Sequence, residues 1–124
     1  IIENPPPGPE QKIQVHCLPC NKGTLPLSHE AVVEKLSNLT GWEVQEGKKL
    51  KKEFKRKNFL QGKHLIDLIA LIAQEQGHHP SLTLTYTKLE VTLTTHAAGG
   101  LTGNDFIMAA FIDELAAGDE GVSL

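Results

Sequence analysis

The chain has 124 residues, enough for one domain with its own core and too few for two ordinary domains side by side. Its 40% hydrophobic and 22% charged residues suit a folding globular protein, and the net charge of -3 argues against general nucleic-acid affinity. No apolar run approaches the roughly 20 residues that cross a bilayer, because Leu65 to Ala73 is broken by Asp67 and stopped by Gln74.

Residues 1–27 read as a tail. Pro5-Pro6-Pro7-Gly8-Pro9 removes backbone donors and favours an extended chain. Cys17 and Cys20 are too few and too close for a secreted disulfide framework, which favours a reducing, cytoplasmic setting, with the nucleus a further compartment. With His16 they look like half of a zinc ribbon whose other half is missing. The domain proper is expected over 28–116, with 117–124 as a second tail. Ser28 is an N-cap, Glu30 falls in the first turn, and Val32, Leu36 and Leu39 follow at helical spacing, so a helix is predicted from Ser28 to Leu39.

After Gly41, Trp42 and Val44 alternate with Glu43 and Gln45, Gly47 supplies a turn, and Leu50 and Phe54 share one side of a second stretch. That predicts a hairpin. Seven of the twelve Lys and Arg residues, Lys48, Lys49, Lys51, Lys52, Lys55, Arg56 and Lys57, lie here. Leu50, Glu53 and Phe54 interrupt the run at strand-like spacing, so it reads as a solvated edge and not as a nucleic-acid patch.

Asn58 caps the longest predicted helix, with Leu65, Leu68, Ile69 and Ile72 as a stripe widened by Ile66, Ala70 and Ala73, and Gly77 as a left-handed stop. A face that broad suggests burial on a second side by another subunit. Leu82, Leu84 and Tyr86, then Leu89, Val91 and Leu93, alternate with polar residues and predict a second hairpin turning near Lys88. Thr102 and Asp105 form a capping box opening a last helix, with Met108, Phe111, Ile112 and Leu115 on its core face. The order is αββαββα, an α+β fold in which three helices cover one face of a four-stranded antiparallel sheet.

Three histidines sit where predicted elements end: His78 and His79 beyond the long helix, His96 beyond the last strand. Histidine is the side chain best suited both to give and to take a proton near neutral pH. The spaced set His78-His79-Pro80, Tyr86, His96 and Asp105 resembles the pterin-4a-carbinolamine dehydratase family, and Gly41-Trp42, Lys52-Glu53-Phe54, Thr94-Thr95-His96 and Gly100-Leu101-Thr102 extend the likeness over Leu27 to Leu115. The resemblance implies removal of water from a 4a-hydroxytetrahydropterin with no metal or organic cofactor, by an enzyme that assembles as a homodimer or homotetramer. It makes His78, His79 and His96 catalytic, points to His79 or His96 for the larger share of proton transfer, and has Thr94 and Thr95 offering backbone polar groups to the pterin edge. Trp42 and Pro80 are candidates for the pocket wall. Gln74 departs from the family, which usually carries a charge there; with Glu75 and Asp105 it is a candidate for support, an amide being able only to orient an imidazole.

Against these stand plainer readings. Asp105 is explained by the capping box alone, Tyr86 by sheet packing, and His29 and His64 by solvent exposure. Three histidines also suggest zinc, but adjacent His78 and His79 point differently. The runner-up function is a binding module, since some animal members of the family also serve as dimerisation cofactors of a transcription factor; a molybdopterin-type pathway is a further alternative.

Overall fold

The computed structural model describes Cys17 and residues 24–120. The proline-rich stretch, His16, Cys20 and residues 121–124 lie outside the described residues. Helix α1 (His29–Leu36) starts where Ser28 Oγ accepts the Ala31 N–H at 3.2 Å. It ends before Leu39 because the chain tightens into i→i−3 bonds, Asn38 N–H to Lys35 O and Leu39 N–H to Leu36 O. Strands β1 (Glu43–Gln45) and β2 (Lys49–Lys55) follow, then α2 (Phe59–Gln76), β3 (Ser81–Thr85), β4 (Lys88–Leu93) and α3 (Gly103–Asp119). The order is αββαββα as predicted.

The sheet runs β1-β2-β4-β3, all antiparallel. Period-two alternation does the sorting: the pairs Leu50 with Leu93, Phe54 with Leu89, Leu82 with Val91 and Leu84 with Leu89 all lie on one face. Against that face α1 contributes Val32, α2 Leu65, Ile69 and Ala73, and α3 Met108, Ile112 and Ala116, forming one core. The opposite face is polar, with Lys51 paired to Glu90 at 3.3 Å.

Because β2 is an interior strand, its basic run is not an edge, although Lys48, Lys49, Lys55 and Lys57 are solvated as expected. The same parity that buries Leu50 and Phe54 turns Lys52 and Arg56 inward, and α3 supplies their counter-charges. Lys52 Nζ meets Asp113 Oδ1 at 2.8 Å, 4.8 Å from the Phe54 ring centre, and the Trp42 indole N–H donates to the same carboxylate at 3.0 Å. Arg56 meets Asp119 Oδ2 at 3.2 Å with both side chains buried. His64 Nδ1 bonds the other Asp119 oxygen, so His64 is engaged and not merely solvated. This anchorage carries α3 to Asp119, past the boundary expected at 116.

Tyr86 also departs from expectation. A two-residue hairpin connection needs a left-handed first position, and Tyr86 takes it with φ of 52°, leaving its ring 75% exposed.

Candidate active site

Three element ends meet at one side of the sheet. Asn58 Oδ1 caps α2 at its start by accepting the Gln61 N–H at 2.8 Å. At its other end Gly77 adopts φ 66°, and the His78 N–H returns to Ala73 O at 3.1 Å, a Schellman closure that fixes the direction in which His78-His79-Pro80 leaves the helix. Register then brings the next segment alongside: Ser81 pairs with Thr92, so the residues ahead of Ser81 lie beside Thr94 and Thr95. His96 opens a short 3-10 turn, His96–Ala98, clamped at its base by reciprocal bonds between Thr95 and Gly100 at 3.1 and 3.3 Å. The start of α3 adds Asp105.

Asp105 is fully buried and its carboxylate has three hydrogen-bond partners. Its Oδ2 takes the Thr95 hydroxyl at 2.7 Å and the Thr102 N–H at 2.9 Å, and its Oδ1 faces His78 Nε2 at 2.6 Å. The capping box and the histidine partner are therefore one residue, and the plain reading of Asp105 accounts for only one of its carboxylate's three bonds. In the tautomer that carries its proton on Nε2, His78 donates to this carboxylate and Nδ1 is the nitrogen left without a proton. His79 is more exposed, and its Nε2 lies 3.1 Å from the Gln74 side-chain oxygen, so the amide orients it.

A cleft of about 570 Å³ is lined by His78, His79 and His96 together with Thr94 and Thr95, a volume within the ordinary range for small-molecule sites. The three histidines named from sequence thus share one cavity. Thr95 serves it differently from expectation: its N–H and carbonyl are both used within the clamped loop, and its hydroxyl holds Asp105. The Thr94 hydroxyl is spent on Lys48 O at 2.7 Å. Trp42 is buried in the core on Asp113, away from the cleft, and Tyr86, Pro80 and exposed Glu75 do not line it. Gln76, Asn104 and Cys17 do, though sequence reasoning gave none of them a place there. The available signal was adjacency, Gln76 lying two residues before His78 and Asn104 one before Asp105. Among the described residues, no three His, Cys, Asp or Glu side chains converge as metal ligands.

The sequence model of the family described as pterin 4 alpha carbinolamine dehydratase matches residues 25–115. The chain belongs to this family. A Nitrosospira multiformis relative carrying the provisional name pterin-4-alpha-carbinolamine dehydratase is 43% identical over 99 residues, 80% of this chain and 87% of that protein. One from Aquifex aeolicus with the same provisional name is 44% identical over 89 residues, 72% of this chain and 89% of that one. Among solved structures, a Brucella melitensis protein titled transcriptional coactivator/pterin dehydratase superposes with a TM-score of 0.70 at 32% identity, over 73% of this chain and 98% of its own. Dehydratase-family membership therefore extends across nearly all of the described domain.

Proposed function

We propose that this cleft dehydrates 4a-hydroxytetrahydropterin to the quinonoid dihydropterin. The observation that carries the reading is the buried Asp105 held on His78 in a cavity shared with two further imidazoles. The reaction breaks the C4a–O bond, forms C4a=N5 and releases water, so one group must protonate the departing hydroxyl while another removes the N5 proton. His78 is suited to the second task. Asp105 holds its Nε2–H, fixes the tautomer and stabilises the imidazolium formed when Nδ1 accepts a proton, as a carboxylate does behind a catalytic histidine elsewhere. His79 and His96, both exposed at the cleft, are the donors available to the leaving hydroxyl. Proton traffic through His78 differs from the family expectation that favours His79 or His96, and the reason is its carboxylate.

In this reading the enzyme is a homodimer or homotetramer and returns the pterin spent by aromatic amino-acid hydroxylases. The test is stopped-flow absorbance on 4a-hydroxytetrahydropterin generated in place. The chain is expected to accelerate the dehydration well beyond its spontaneous rate. A rate unchanged by protein at micromolar concentration would remove the enzyme reading.

A further inference from the structure

The cysteine pair found no role in the sequence, yet Cys17 lies in the cleft. Its backbone N–H donates to Gln76 Oε1 at 2.8 Å, and its thiol donates to the Asn104 carbonyl at 3.7 Å. Those partners are 59 and 87 positions away along the chain. Gln76 is the last residue of α2, two before His78, and Asn104 is the neighbour of Asp105 at the start of α3. Cys17 therefore spans the two helix ends whose side chains form the His78–Asp105 pair. It is half buried there and lines the cavity.

We infer that Cys17 is a further binding residue for the pterin, its thiol forming part of the wall against which the flat ring lies. This rests on the proposed dehydratase reading for the identity of the ligand. Sulfur is small and polarizable and packs well at the edge or face of an aromatic system. Bound pterin and solvent then compete for the same side of the thiol, so occupancy of the cleft shields it. Because Cys17 takes no part in proton transfer, its loss weakens binding and leaves turnover alone: Cys17→Ala raises KM about two- to tenfold with kcat unchanged, the range of a lost sulfur–ring contact. Cys17→Ser, which keeps the size but not the polarizable sulfur, loses nearly as much.

The deciding experiment alkylates the full chain with iodoacetamide, with and without saturating 7,8-dihydropterin, and follows the Cys17 peptide by mass spectrometry. Slower alkylation in the presence of dihydropterin, together with the KM effect in Cys17→Ala, is the expected result. Equal alkylation rates in a chain that dehydrates its substrate would overturn the inference and leave the dehydratase reading intact. A chain without dehydratase activity whose Cys17 is nonetheless shielded would retain the binding residue and remove the enzyme, and one showing neither would remove both.

Discussion

A single carboxylate, Asp105, performs two tasks with its two oxygens. Oδ2 closes the α3 capping box and Oδ1 holds His78. Asp105→Asn retains a shape that can cap but cannot support an imidazolium, so kcat should fall roughly 10²-fold, as for a weakened general base, with KM little changed and the variant still folded by circular dichroism. Asp105→Glu should recover part of the loss. A purely structural role would instead appear as lowered thermal stability with kcat retained in the folded fraction. His78, His79 and His96 stood out in the sequence because their types and spacing form a motif, whereas Asp105, part of the same motif, was also explained by the capping box alone. The bond between His78 and Asp105 was not legible, since it depends on the end of α2 meeting the start of α3 and on Thr95 turning its hydroxyl inward. Cys17 carried no signal of this kind, because its neighbours are distant in sequence and none is a residue type that announces a partner.

At the level of elements, caps and alternation revealed nearly the whole order of helices and strands. Ser28, Asn58 and Thr102 each begin a helix, and the apolar alternation of β2, β3 and β4 defines the core face. Within the basic run of β2, Lys52 and Arg56 misled because charge is ordinarily solvated. Only the placement of Asp113 and Asp119 on α3 makes inward-facing Lys52 and Arg56 tenable. The Arg56–Asp119 pair is buried on both sides, and removing one partner leaves an uncompensated charge, so Asp119→Ala should cost about 3–5 kcal/mol in urea unfolding. A loss below about 1 kcal/mol would show that water reaches the pair. The apolar double replacement Arg56→Met/Asp119→Leu should recover much of the stability, because it removes both desolvation costs together.

For the molecule as a whole, the breadth of the α2 stripe is the feature one chain does not explain. Leu65, Ile69 and Ala73 of the expected stripe are consumed by the core and Leu68 and Ile72 are half-buried, while Phe59, Leu60 and Leu71, which the stripe did not include, remain 51%, 60% and 71% exposed along the same helix. Large apolar side chains left outward on one helix favour contact with a second copy. Light scattering at micromolar concentration should give a dimer or tetramer, and Leu71→Glu should shift it towards monomer without loss of helix content. A wild-type chain that stays strictly monomeric would contradict this. The stripe that meets the core was visible in the sequence, but the outward Phe59, Leu60 and Leu71 were not singled out, because the helix's rotation about its axis is set by packing.

The proposed division of a dehydration's proton transfers among the three imidazoles of one cleft has a direct kinetic signature. It is tested most directly by stopped-flow kcat/KM for His78→Ala, His79→Ala and His96→Ala beside the wild-type chain. His78→Ala should lose about 10²–10⁴-fold, mainly in kcat, with the spontaneous reaction as the floor, and at least one of the other two should lose kcat as the acid. Near-normal kcat/KM in all three folded variants would rule out histidine acid/base catalysis in this cleft.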